Sequence, residues 1–174
     1  MRRTPVSIEN VAAAAVKALP AGILLTTKAG EKTDTMVIGW GAVGIEWGKP
    51  VFTCYVRHSR FTHDQLEKAP EFTVNIPVGG ADPKILKVCG SQSGRDVDKV
   101  KALGLTLVDG TKVAAPAVRE FPLTLECRVV YRKDQEAADL DPSLLPWYPE
   151  NEEGRRDIHT AYYAEILAAY LIEE

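Results

Sequence analysis

Arg57, Ser59, Arg60 and Thr62 place four donor-bearing side chains within six positions, where the apolar run Val51 to Val56 ends and a helical pattern begins. A guanidinium presents a planar fork of N–H donors. The first N–H groups of a helix have no partner within it, so a corner of this composition is suited to hold a phosphate or another anion. Ser59 is the expected cap of the helix that follows, with Thr62 three positions on. A capped surface helix with solvated arginines accounts for the same residues, and the cluster alone does not decide between the two.

A second cluster lies in Cys89-Gly90-Ser91-Gln92-Ser93-Gly94-Arg95-Asp96-Val97-Asp98-Lys99. Ser93, Arg95 and Lys99 add hydroxyl and cationic donors, and Gly94 lets backbone approach a ligand closely. The competing reading is a turn between two helices, with Asp96 capping the second. No Gly-Lys-Ser/Thr follows at P-loop spacing.

The elements that must carry these clusters are legible from period and punctuation. Ser7 to Leu19 reads as a capped helix stopped at Pro20, and Ile23 to Lys28 as a strand leading into a turn at Ala29-Gly30-Glu31-Lys32. Thr35 to Val43 and Val51 to Arg57 read as strands around Gly48-Lys49-Pro50, Arg60 to Lys68 as a helix, and Phe72 to Ile76 as a strand. Asp82-Pro83 opens a further helix, and Gly104 ends a short one that starts near Asp96. In Leu123-Thr124-Leu125-Glu126-Cys127-Arg128-Val129-Val130-Tyr131 the odd positions are apolar, the pattern of a half-buried antiparallel strand. The acidic, proline-interrupted stretch between Arg132 and Asp157 is too polar for a core element. It reads as a dimer arm, a lid or a mobile loop.

Composition narrows the function classes. The chain has 174 residues, 45% of them hydrophobic, enough for one globular domain with a sizeable core. A formal net charge of −3 gives no general attraction to nucleic acid. The three cysteines, Cys54, Cys89 and Cys127, lie far apart without a C-x-x-C pair and read as buried thiols in a reducing compartment. Arg2-Arg3 before Val11 to Val16 imitates a signal peptide, but Glu9, Asn10 and Lys17 interrupt the run and favour an amphipathic helix. No apolar run approaches the ~20 residues of a membrane span, and the expected location is the cytoplasm.

Taken in order, these segments resemble the flavin reductase-like, FMN-binding split-barrel family, which includes flavoredoxin. Pro20 to Thr27 resembles the family's opening strand, Thr35-Met36-Val37-Ile38-Gly39-Trp40-Gly41 its flavin-side strand, and Arg57 to Pro77 its phosphate corner and next strand. Ser93 to Lys99 resembles the signature loop, Leu125-Glu126-Cys127 a core strand, and Asp157-Ile158-His159-Thr160 with Glu165-Ile166 the closing strand. The resemblance implies a mainly β fold, an antiparallel Greek-key split β-barrel with a few peripheral helices. It covers residues 1–174 as a single domain, with 133–157 as a loop or dimer arm. Ala161 to Glu174 would be helix on propensity alone, and the family pattern makes it a strand.

The resemblance further implies FMN as cofactor, held in a groove outside the small barrel that a second subunit completes, hence a homodimer. It places Thr35, Met36, Gly39 and Trp40 beside the isoalloxazine, with core packing as the other role open to Trp40. Arg57, Ser59, Arg60 and Thr62 fall at the phosphate and ribityl corner, and Ser93, Gly94, Arg95 and Lys99 in the second loop. His159 falls near the ring, with a purely structural role as its alternative, and His58 and His63 are expected as surface residues at the helix entry. The implied activity is NADH- or NADPH-dependent flavin reduction, with a redox partner protein or monooxygenase as recipient. The alternative is a flavoredoxin-like electron carrier. Asp34 stands where many relatives carry asparagine, and an ionised carboxylate there would repel reduced flavin unless it faces away or pairs. Ala164 replaces a common glycine.

Overall fold

The computed structural model describes residues 1–173. In chain order the elements are β1 (Arg2–Pro5), α1 (Ile8–Ala18), β2 (Ile23–Ala29), β3 (Lys32–Ile38), β4 (Gly41–Glu46), β5 (Lys49–Arg57), α2 (Phe61–Lys68) and β6 (Glu71–Ile76). They continue as α3 (Pro83–Ser91), α4 (Lys99–Leu103), β7 (Leu107–Val108), β8 (Ala117–Val118), β9 (Leu123–Asp134) and β10 (His159–Glu173). The fold is mainly β and antiparallel, with a few peripheral helices.

The main sheet runs β3-β2-β6-β9-β10-β5-β4, with β1 added along the far end of β10. Its two edge strands, β3 and β4, are consecutive in sequence, separated only by Gly39 and Trp40. From Ile38 to Gly41 the chain spans at most about 11 Å, so the sheet must curl until its opposite edges nearly meet. Trp40 sits in that seam. The expected single strand from Thr35 to Val43 is therefore two strands on opposite edges, and the dipeptide between them marks where the barrel is split.

Inside the curl, Leu25, Phe52, Phe72, Leu125 and Tyr162 form the main core with the buried face of α1, which Ser7 caps as expected. Burying a large apolar side chain contributes roughly 1.5–3 kcal/mol, so this cluster dominates the stabilisation. All three cysteines are free and buried. The β2–β3 turn falls at Gly30-Glu31 as expected, whereas the β4–β5 turn is Trp47-Gly48, with Lys49 and Pro50 already in β5. Asp82 caps α3 with Pro83 at its start, and Gly104 closes α4 in the left-handed region.

Two other expectations change. β9 is buried on both faces over Leu123 to Cys127, because the chain from Thr111 to Val118, including β8, packs over its outer side. The segment from Ala161 onward is strand despite its helical propensity, since β9 flanks it on one side and β5 as far as Glu165, then β1 from Tyr170, on the other, taking its backbone hydrogen bonds. Glu174 lies outside the described residues.

Candidate functional site

The two donor clusters meet. The end of β5, the corner that follows it, the first turn of α2, the loop 91–95 and the start of α4 enclose a cleft of about 360 Å³ floored by Asp34 and Met36 of β3. Arg57, Ser59, Arg60, Thr62, Ser93, Gly94, Arg95 and Lys99 all line it. Ser59 does not cap α2, whose cap position is Arg60 without a side-chain bond. Instead its N–H and hydroxyl donate to the Asp157 carboxylate, at 3.1 and 2.6 Å. Nor does Asp96 cap the next helix, since Asp98 accepts from the Lys101 N–H.

The cations here are already paired. Arg95 donates to the Ser59 carbonyl at 2.9 Å and to Asp64 at 2.6 Å, and its guanidinium lies over Phe61. Arg60 reaches the Gly90 carbonyl at 3.3 Å. The Lys99 ammonium, only 2% exposed, forms an ion pair with Asp34 Oδ1 at 3.1 Å. Asp34 therefore neither faces away nor stands free. Burial pushes its carboxyl above the usual range against the pull of Lys99, and its Oδ2 has no hydrogen-bond partner among the described residues. Gly94 lies directly on that carboxylate, where a Cβ would come within 2.5 Å of it. Only glycine fits without movement.

Met36, Arg57 and Arg60 also line an adjoining hollow of about 200 Å³, so the two cavities form one cleft. Its far end is aromatic: Trp40, 39% exposed, has Trp147 edge-on at 5.4 Å and His159 at 5.0 Å. Trp40 is thus a wall of the cleft rather than a core residue. Gly39 lies beside it, while the Thr35 hydroxyl bonds to Thr26 and Leu25 within the sheet, leaving only Thr35 backbone on the open β3 edge. His159 is buried and meets the Tyr148 hydroxyl at 2.9 Å through Nδ1. Burial, reinforced by Arg57, lowers its pKa to about 4, so the imidazole is neutral at pH 7.

The stretch between Arg132 and Asp157 folds over this end. Two 3₁₀ turns, 137–139 and 142–147, bring Trp147 to the rim of the cleft and lead into the buried Tyr148. Both terminal nitrogens of Arg57 bond to it, at the Asp157 and Trp147 carbonyls, and its guanidinium lies over the Tyr148 ring. A larger apolar hollow of about 610 Å³ lies under the same flap, between Trp40, Tyr55, Leu144 and Trp147. The sequence reading did not foresee Trp147, Tyr148 and Asp157 as site residues. Trp147 and Tyr148 are signalled only as an unusual pair of aromatics bounded by prolines in an otherwise acidic loop, and Asp157 only as the start of the segment matched to the closing strand. The cleft can accept an anion at one end and a flat ring at the other.

Residues 16–174 match the family model described as "flavin reductase like domain". An uncharacterized protein of Archaeoglobus fulgidus is 34% identical over 63% of this chain and 59% of its own length. The chain thus matches about three fifths of that relative. Among solved structures, the flavoredoxin of Methanosarcina acetivorans superposes with a TM-score of 0.65 at 28% identity, over 87% of this chain and 68% of that one. The flavoredoxin of Desulfovibrio vulgaris (Miyazaki F) gives 0.67 at 24%, over 87% and 69%. An FMN-binding domain of a flavin reductase-like enzyme from Shewanella baltica gives 0.66 at 18%, over 98% and 77%. These solved structures share the fold of this chain, and this protein belongs to the flavin reductase-like family.

Proposed function

We propose that the protein is an FMN-binding flavoprotein and an NAD(P)H-dependent flavin reductase. The observation that carries this is the single cleft, polar and cationic at one end and aromatic at the other, joined through Met36, Arg57 and Arg60. These ends fit the two ends of FMN. Arg60, Arg95, Ser93 and Lys99 would hold the phosphate, joined by the Ser59 N–H and hydroxyl once Asp157 releases them, and Thr62 would border the ribityl chain. Trp40, Met36 and the backbone of Thr35 and Gly39 would flank the ring. FMN when bound supplies the two-electron chemistry, and the chain supplies binding and orientation.

His159 is neutral, so it can offer or accept one hydrogen bond without placing a charge beside the ring. Tyr148 fixes its orientation through Nδ1. Arg57 positions the flap beside the aromatic end. The apolar hollow beside Trp40 offers room for the nicotinamide of NADH or NADPH. The same hollow, with Trp147 and Leu144 exposed at its rim, supports a second reading: docking of a redox protein to a flavoredoxin-like carrier.

The homodimer belongs to this proposal. Ile45, Trp47, Val130 and Tyr131 are large, exposed and apolar or aromatic. Trp47 adopts φ 52°, the left-handed region that a bulky residue rarely occupies, and stands edge-on to Tyr131. Covering this patch in a second copy would offset that cost.

Absorption spectra of the purified protein, followed by anaerobic addition of NADH and NADPH, test the activity. A flavin spectrum that bleaches rapidly supports the reductase, and one that bleaches only with a reduced partner protein supports the carrier. Titration of deflavinated protein tests the phosphate end: riboflavin binding as tightly as FMN would overturn it. Light scattering that finds a monomer retaining FMN would defeat the dimer.

A further inference from the structure

Side chains alternate along β10, so while His159 faces the cleft its neighbour Thr160 points to the opposite face. Three potential metal ligands from three other elements surround that threonine. His58 follows the end of β5, His63 lies in the first turns of α2, and Asp134 ends β9 directly opposite Thr160 in register. Their donor atoms all lie within 4.8 Å of one another. His58 Nε2 is 3.1 Å from Asp134 Oδ1, and the two Nε2 atoms are 3.1 and 3.0 Å from the Thr160 hydroxyl, which donates to Asp134. The two imidazoles therefore aim the same nitrogen at one point. Surface histidines at a helix entry have no reason to converge in this way.

We propose that His58, His63 and Asp134 bind a divalent transition-metal ion of the zinc class, independently of the flavin cleft. Ligands at ~2.0–2.2 Å from such an ion lie roughly 3.0–3.5 Å apart; His58 and Asp134 already stand at 3.1 Å, and with all three donors within 4.8 Å a small inward movement closes the set. Imidazole donors favour Zn²⁺, Co²⁺, Ni²⁺ or Fe²⁺ over Mg²⁺ or Ca²⁺. The carboxylate gives the site its negative charge, and the cations beside it are engaged elsewhere: Arg132 pairs with Glu67, and Lys133 with Glu136 at 2.8 Å. His58 and Asp134 are exposed, so solvent can complete the coordination. A change of the Thr160 side-chain rotamer moves its oxygen from the point of convergence and makes room for the ion, which would tie the first turns of α2 to the ends of β9 and β10.

Tag-free protein as purified, freed of metal by dialysis against a chelator, is titrated with Zn²⁺ and with Co²⁺, using Mg²⁺ as control. The expected result is one ion per chain with affinity in the micromolar range, visible Co²⁺ absorption, and no Mg²⁺ binding. Losing even an outer hydrogen-bond partner of a metal ligand costs about 10–100-fold in affinity, so His58→Ala, His63→Ala and Asp134→Ala should each weaken binding at least that much. His58 is exposed, so its variant decides the matter if either of the others fails to fold. Absence of saturable Zn²⁺ and Co²⁺ binding, or binding unchanged by His58→Ala, overturns the proposal and leaves these groups as a hydrogen-bond network.

Discussion

Glu126 and Asp34 are both buried carboxylates on strands of the same sheet, and they are built for opposite ends. Glu126 is fully buried, and its oxygens accept from the N–H groups of Thr111, Lys112 and Val113, the Thr111 hydroxyl and the Tyr170 hydroxyl. Burial alone would raise its pKa, but these donors, led by Thr111 and Tyr170, outweigh it and hold the carboxyl below the usual range. Asp34 has Lys99 on one oxygen and no hydrogen-bond partner on the other among the described residues, and its carboxyl is pushed up. A satisfied buried charge organises a fold, whereas an unsatisfied one at the floor of a cleft leaves part of its interaction to whatever enters.

The sharpest way to break this contrast is Glu126→Ala. It strands several buried donors at once, and hydrogen bonds to a charged group are worth about 1.5–3 kcal/mol each, so the loss of unfolding free energy should be on the order of 4 kcal/mol. Denaturant unfolding measures it. A loss under about 1 kcal/mol would mean that the 111–113 loop finds water as readily as it finds Glu126. Removing the Asp34 charge should cost the fold far less.

Gly94→Ala tests the other side of the comparison. Its Cβ would stand 2.5 Å from the Asp34 carboxylate, too close for either to stay in place. Overpacking of this kind costs about 3 kcal/mol at the upper end of its range. In the Gly94→Ala/Asp34→Ala double variant most of that cost should vanish, because the clashing group is gone. Additive losses would show that Gly94 matters for backbone freedom instead.

The acid sensitivity of the aromatic end comes next. His159 titrates near 4 when folded, against 6.5 for an unperturbed imidazole in the unfolded chain. Above pH 6.5 both states are neutral there and stability is unaffected. As pH falls below that, the unfolded chain takes up a proton that the folded site refuses, and stability drops until the folded imidazole titrates too. Between pH 7 and 5 this amounts to about 2 kcal/mol. Denaturant unfolding of His159→Gln at both pH values should show a fall smaller by about that amount. His63, held low by burial and by His58, adds to the fall in both proteins and cancels in the difference. Equal falls would mean that His159 titrates normally.

How far all this was legible depends on the range of the interactions concerned. The helix capped by Ser7, the turn at Gly30 and the strand of β2 are written in neighbouring residues and stand as read. The gathering of Arg57 to Thr62 and Ser93 to Lys99 in one cleft was available from residue type and family pattern together. What the cations do there was not. Asp157 reaches Ser59 from 98 positions away, and Arg57 turns to carbonyls 90 and 100 positions on. Nothing near Ser59 announces that its donors have a carboxylate partner. The convergence of His58, His63 and Asp134 is equally silent, because it depends on a strand register that pairs Thr160 with Asp134. The helical propensity of β10 misleads for the same reason: two neighbouring strands outweigh a local preference of a few tenths of a kcal/mol per residue.

The smallest expected effect is the most discriminating. Asp34→Asn removes a negative charge from the cationic end and leaves the Lys99 ammonium without its ion-pair partner. For a phosphate at roughly 6–8 Å in an effective dielectric of about 30–40, losing that repulsion is worth about 1–2 kcal/mol, or near tenfold in affinity. The free chain should lose stability, since a buried ammonium has lost its counter-ion. Affinity and stability thus move in opposite directions, a signature that general loosening of the fold cannot produce. FMN and riboflavin titrations of the deflavinated variant locate the effect. Tighter FMN with unchanged riboflavin puts the anion beside Lys99. Equal tightening of both ligands would instead place Asp34 near the ring, and the contrast with Glu126 would have to be redrawn around the isoalloxazine rather than the phosphate.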